Sequence, residues 1–464
     1  MGSRRRQSRP IARPPAAPSP SGSCRIPSSP VRPLPTMPRG AGGGARAWMP
    51  SDTDTSRVLP PTRWQRTFAA LQHPNYRLWF QGQIVSLFGT WMQATAEGFL
   101  VYELTHSPRY VGIVAFAAGV PMWVLTLYGG VIADRFPRRT LLIATQAAMM
   151  TLASILATLT FLKVVQPWHI VSLALLLGVA NAFDAPARQA FVSELVPRED
   201  LTNAIALNAT MFNTATAIGP AVAGVTYALF GPGWCFTLNA LSFIAVIAAL
   251  RRVNVEWRPP ARHAGGIVAQ FGEGIRYVVH QRQIRTVIGL VATTSLCAVS
   301  ISTLIPAWAV AVLHGGAMTN GMLLGTRGAG SLAGALLVAS RARAVGRGRP
   351  LMTGAIAYPL ALFVFAFVHW LPASLVLLAG VGTGTVFVLN LGNAMVQTST
   401  PDELRGRVMG AYTWIFFGVM PLGALWTGTI AERLGEPSAV TINAAVALLV
   451  ALVVWFRDPE FLRH

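Results

Sequence analysis

The chain has 464 residues, of which 53% are apolar and only 12% charged, with a formal net charge of +20. Soluble domains carry roughly 25% charged residues, so the composition excludes an ordinary water-soluble protein. Nor does the positive charge mark a nucleic-acid binder. Residues 1–66 hold twelve arginines against Asp52 and Asp54, half of the net charge. Most of the remainder lies in short loops between apolar stretches, where it sets membrane orientation rather than gripping phosphate. Cys24, Cys235 and Cys297 are too few and too scattered for a disulfide framework, and the histidines are equally dispersed, so no metal or cofactor is expected.

In chain order, residues 1–66 are rich in Pro, Arg, Ser and Gly, which predicts a disordered basic cytoplasmic tail. No apolar run follows Arg4-Arg5-Arg6, so this stretch does not read as a cleaved signal peptide; Met37 and Met49 are alternative starts. A membrane-spanning helix needs about 20 apolar residues. Such stretches fall at 79–102, 111–133, 140–162, 168–188, 203–228 and 233–250, then at 286–311, 319–340, 350–370, 373–397, 407–430 and 437–456. The expected fold is therefore an all-α membrane protein with twelve transmembrane helices in two six-helix bundles, at 67–256 and 285–464. A central cytoplasmic loop, 257–284, joins them and holds an amphipathic stretch, Ile267–His280, suited to lying on the membrane surface. With both termini placed in the cytoplasm, twenty arginines fall on the inner side. Only Arg109, Lys163 and Arg433 fall outside. A faint repeat supports the division, since Val196-Pro197-Arg198-Glu199-Asp200-Leu201 before span 5 is echoed by Thr400-Pro401-Asp402-Glu403-Leu404 before span 11.

Between spans 2 and 3 lies Gly130-Val131-Ile132-Ala133-Asp134-Arg135-Phe136-Pro137-Arg138-Arg139. It resembles the G-x-x-x-D-R-x-x-R-R signature of the major facilitator superfamily, with Pro137 where Gly is common. Gly89-Thr90-Trp91-Met92-Gln93, Asn181-Ala182-Phe183-Asp184-Ala185-Pro186-Ala187-Arg188 and Pro401-Asp402-Glu403-Leu404-Arg405-Gly406-Arg407 extend the likeness from residue 70 onward. They resemble the transmembrane secretion effector branch, which includes enterobactin-type siderophore exporters and macrolide efflux proteins. The resemblance implies a monomeric secondary transporter of the bacterial inner membrane. It also implies that Asp134 caps the helix starting near Arg407 and that Arg138 pairs with Asp184, forming a latch with Arg135 and Arg139. Gly219-Pro220-x-x-Ala223-Gly224 in span 5 is similar to a motif associated with antiporters, although small residues also serve plain helix packing.

Charges inside a bilayer are costly and therefore informative. Glu97 and Arg327 are the acid and the base placed well within spans, about 9 Å and about 12 Å from the outer ends of spans 1 and 8. They read either as a proton or substrate site in a cavity or as a fixed ion pair. The amides Asn208, Asn213, Asn239, Asn390, Asn393 and Gln397 suit hydrogen bonds between helices. No G-x-x-x-x-G-K-[ST] loop is present, so ATP is not the direct energy source and an ion gradient remains. The leading reading is export of a drug, siderophore or other metabolite in exchange for protons by alternating access. The alternatives are nutrient import by the same fold and a non-transporting membrane sensor or scaffold. No span offers the nucleophile–base or paired-carboxylate constellation of an enzyme.

Overall fold

The computed structural model describes residues 68–255, 267–340, 347–458 and Phe461. The expectations for the 1–66 tail and for 257–266 lie outside these residues. After a short 3-10 turn, Ala69–Gln72, six long helices follow: α1 (Pro74–Thr105), α2 (Pro108–Arg135), α3 (Arg138–Phe161), α4 (Pro167–Leu195), α5 (Leu201–Phe230) and α6 (Pro232–Arg252). A short helix, α7 (Ile267–His280), occupies the expected surface stretch. The second set is α8 (from Arg282), α9 (Ala317–Ser340), α10 (Gly348–Phe365), α11 (Leu371–Ser399), α12 (Asp402–Leu434) and α13 (Glu436–Arg457). α8 is irregular. It is α-helical to Thr294, π-helical over Ser295–Val299, tightens to a 3-10 turn at Ser300–Thr303, and ends in a second π-turn at Trp308–Val312.

Helix boundaries follow from local chemistry. Proline, whose missing N–H costs nothing at a helix start, opens α1, α2, α4, α6 and α11. Gly231 at φ 86° joins α5 to α6, and Gly435 at φ 85° joins α12 to α13. The two halves thus make the same tight turn after their fifth helix, as repeated bundles do. Among the described residues, ten helices are long and apolar enough to cross a membrane. α1 and α5 have the length but are more polar, because α1 turns Gln83, Ser86, Gln93, Thr95 and Glu97 inward. On the outer surface, large apolar side chains are exposed along most helices. Trp168, Trp234 and Trp370 ring the end that carries few charges, consistent with an interfacial belt.

α1–α6 form one bundle and α8–α13 the other. The halves meet along two seams, α5 on α9 and α2 on α12, which exchange under the pseudo-twofold that relates the bundles. Both seams are built from glycine. A Cβ on Gly321 would lie 2.5 Å from the Pro220 carbonyl and 2.7 Å from the Gly224 Cα. A Cβ on Gly119 would overlap the ring of Pro421. In each half a proline of the fifth helix thus packs on a glycine of the other half's second helix. Gly321→Ala should therefore cost about 1–3 kcal/mol by overpacking, read as a lower melting temperature of the protein in detergent. Gly289→Ala on α8, where an added Cβ meets nothing within 4 Å, should leave melting unchanged.

Candidate functional site

Glu97 is buried on α1 and accepts a long hydrogen bond, 3.4 Å, from Gln93 one turn earlier. Gln93 in turn accepts from Asn239 on α6 at 2.6 Å, and Ser242 donates to Asn239 Oδ1 at 3.2 Å. This polar thread ties α1 to α6 inside the first bundle. Gly89 makes room for it, since a Cβ there would sit 2.5 Å from the Ser242 hydroxyl. Asn239 therefore bonds between helices as its residue type led us to expect, whereas Asn213 and Gln397 bond within their own helices. Gln93 ends the Gly89–Gln93 stretch, which had no role assigned, and its spacing of four from Glu97 puts both on one face.

Arg327 does not pair with Glu97. Its Nη2 donates to the carbonyl of Ala298 at 3.4 Å, and its Nε is buried without a partner. Ala298 lies in the π-turn of α8, whereas the residue after Glu97, Gly98, lies beside Pro306, with its built Cβ 3.8 Å from the proline ring. Eight residues, running through the π-turn and the 3-10 turn, separate Ala298 from Pro306. The two charges thus stand at different levels, one in each bundle. Counting residues from the outer ends of α1 and α9 had put them at similar depth.

At the arginine-rich end, the contacts described for Arg138, Arg139 and Asp184 lie within the first bundle. Arg138 donates to Glu194 at 2.5 Å rather than to Asp184. Asp184 instead accepts from Thr145 and Gln146, both at 2.8 Å, and stands 3.6 Å from Arg188 one turn along α4. The expected Arg138–Asp184 pair is corrected accordingly. α4 continues to Leu195, and so brings an acid nearer to Arg138 than the sequence boundary at residue 188 allowed. Arg139 donates to the carbonyls of Leu250 and Arg251 at 2.7 and 2.5 Å, capping the C-terminus of α6. Arg135 is exposed, and a Cβ on Gly130 would meet nothing within 4 Å. The side chain of Asp134 lies outside the described residues. Arg407, at the start of α12, is ion-paired with Glu273 of α7, and the carbonyl of Arg407 lies against Gly274.

The span 5 motif serves close packing, Gly219 on α1 within its own bundle and Pro220 and Gly224 on the seam. A Cβ on Gly219 would lie 2.7 Å from the Trp91 Cβ, and one on Gly224 would lie 2.8 Å from the Ala317 carbonyl. Pro220 presents its carbonyl to Gly321. At the charge-poor end, Ser107 of the α1–α2 turn donates to Glu432 of α12 at 2.7 Å, and Tyr227 donates to Glu103. Nearer the arginine-rich end, Trp123 of α2 lies against Trp414 of α12 with ring centroids 5.3 Å apart, and Phe271 of α7 flanks Trp414 at 5.4 Å. None of these contacts follows from the motifs, because each joins residues far apart in the chain. Asp184→Ala should remove two hydrogen bonds to a charged acceptor, each worth about 1.5–3 kcal/mol. It should lower the melting temperature well beyond Asp402→Ala, whose carboxylate is exposed and paired only with Arg405.

Residues 65–460 match the family described as transmembrane secretion effector. The multidrug efflux pump Tap of Mycobacterium tuberculosis is 28% identical over 390 residues, covering 80% of this chain and 92% of that protein. The staphyloferrin A transporter of Staphylococcus aureus is 23% identical over 387 residues, with 83% and 96% covered. The enterobactin exporter EntS of Citrobacter koseri is 24% identical over 402 residues, with 84% and 93% covered. Among solved structures, a POT family transporter in complex with 5-aminolevulinic acid superposes with a TM-score of 0.66 at 11% identity, over 83% of this chain and 96% of that one. A bacterial homologue of the human lysosomal transporter Spinster gives 0.65 at 11% identity, over 84% and 98%. These superpositions carry the fold alone.

Proposed function

The chain belongs to the transmembrane secretion effector family of the major facilitator superfamily, and from that premise we propose that it exports a small molecule across the bacterial inner membrane in exchange for protons. The observation that carries the reading is where the halves touch. The glycine seams run toward the charge-poor end and finish in the Ser107–Glu432 bond. At the opposite end Arg138, Arg139, Asp184 and Arg407 are held inside their own bundles. By the distribution of positive charge, the arginine-rich end and both termini face the cytoplasm. The conformation is then sealed outside and poised to take cargo from within. The named relatives include an efflux pump and a siderophore exporter, which favours outward transport.

In this reading the halves rock about the seams. When the cytoplasmic side closes, the start of α12 meets the end of α2, and Asp134 caps the free N–H groups there. Arg407 then exchanges Glu273 for the other bundle. Asp134→Asn should bias the protein toward the inward-open state. Raised thiol labelling of cytoplasmic-side reporter cysteines would show the bias, and unchanged labelling and transport would remove the latch.

Glu97 is the proton carrier in this scheme. It sits in the first bundle beside the helix of the second that carries Pro306, so its charge is felt at the moving interface. Glu97→Gln fixes the protonated form. In everted vesicles the variant should lose pH-driven accumulation of dyes, macrolides or siderophores but keep cargo binding and passive exchange. A full pH-dependent gradient in the Gln variant would place coupling elsewhere.

A further inference from the structure

Arg327 stands near the middle of α9 without a carboxylate. Among the described acids of the second bundle, Glu273 pairs with Arg407, Asp402 with Arg405 and Asp458 with Arg282. Glu432 accepts from Ser107, and Glu403 and Glu436 sit in the first turns of their helices. Glu97 is engaged with Gln93 at another level. A guanidinium keeps its charge throughout the accessible pH range and offers five donors in a planar fork. Here one donor makes a single long bond to a carbonyl, and Nε is left buried with nothing to bond.

The helix facing Arg327 breaks its α-geometry at that level. The π-turn Ser295–Val299 and the 3-10 turn Ser300–Thr303 meet next to Ala298, and the Ser295 hydroxyl is another buried group without a partner. π-turns inside helices recur at functional sites, and irregular backbone at membrane depth is tolerated where it is buried in protein or lines a cavity. Arg327 also lies on the helix that forms the α5 seam: Gly325 and Gly328 meet α5, and the Arg327 carbonyl meets Gly382 of α11. Whatever binds there is sensed by the moving interface.

We propose that Arg327 and the π-turn of α8 form an oxyanion-recognition site, so that the cargo is a small organic molecule bearing a carboxylate or a comparable anionic group. The free edge of the guanidinium matches two carboxylate oxygens in a bidentate pair. The inference rests on the transport reading above but is tested by binding alone, without a gradient. The full chain in detergent is titrated with matched acid, amide and amine triplets built on benzene, naphthalene and biphenyl bodies, reading displacement and melting temperature at fixed ionic strength. The acid of at least one triplet should bind about tenfold more tightly than its amide, and the amine should bind most weakly. Arg327→Gln should abolish the preference for the acid, and Arg327→Lys should keep part of it. If every triplet binds without regard to charge, or the Gln variant keeps the same preference, the site is not an anion site. Export that fails in vesicles while this preference persists would overturn the transport reading instead.

Discussion

The structure depends on how closely helices can approach where no water drives them together. In lipid, apolar side chains gain little from touching each other, so association relies on van der Waals packing at short range. Here that packing is concentrated at glycines. α5 and α9 cross so closely that the backbones at Gly224 and Gly321 touch, and α2 meets α12 through Gly112, Gly119 and Gly418. A seam of backbone against backbone has few rotamers to reorganise, so two rigid bundles can roll across it. The same geometry explains Pro220 and Gly224 of the span 5 motif without assigning them a ligand.

The polar groups divide in a complementary way. Those that would bind one half to the other at the arginine-rich end are occupied within their own half. Asp184 has Thr145, Gln146 and Arg188, and Arg407 has Glu273. Asp184 and Arg407 are therefore not stranded when that end is open, and closing it requires their partners to be exchanged. A transporter whose two states are close in free energy needs this balance, because a contact satisfied in only one state would trap the molecule there.

Much of this was legible in the sequence, for physical reasons that also mark the limits. The twelve helices follow from apolar length and from prolines and glycines at their ends. Even the short helix Ile267–His280 appears at its expected bounds, because amphipathicity and flanking charge are local properties. The signature residues were also recognisable, yet the partner of Arg138 was not. Span length was judged by hydrophobicity, and α4 continues past residue 188 to Leu195, carrying Glu194 within reach. Counting depth along α1 and α9 likewise says nothing of what each charge faces, and Arg327 is found against Ala298 while Gly98 lies against Pro306. Contacts across the halves, such as Ser107 with Glu432 or Trp123 with Trp414, leave no periodic trace in the sequence.

The separation of the two interior charges bears on energetics as well as recognition. With an anion at Arg327 and Glu97 ionised, the loaded interior carries one net negative charge. With a proton on Glu97 and Arg327 free, it carries one net positive charge. In a cell whose interior is electrically negative, the first state is drawn outward and the second inward, which are the directions that proton-driven export requires. Each elementary charge crossing the membrane is worth about 2.3 kcal/mol per 100 mV. Exchanging one anion outward for one proton inward therefore draws about twice that from the potential, in addition to the pH gradient. An ion pair between Glu97 and Arg327 would have forfeited this, since a neutral empty carrier returns without sensing the field. In the proposed cycle, keeping the two charges unpaired, one in each bundle, leaves both steps coupled to the membrane potential.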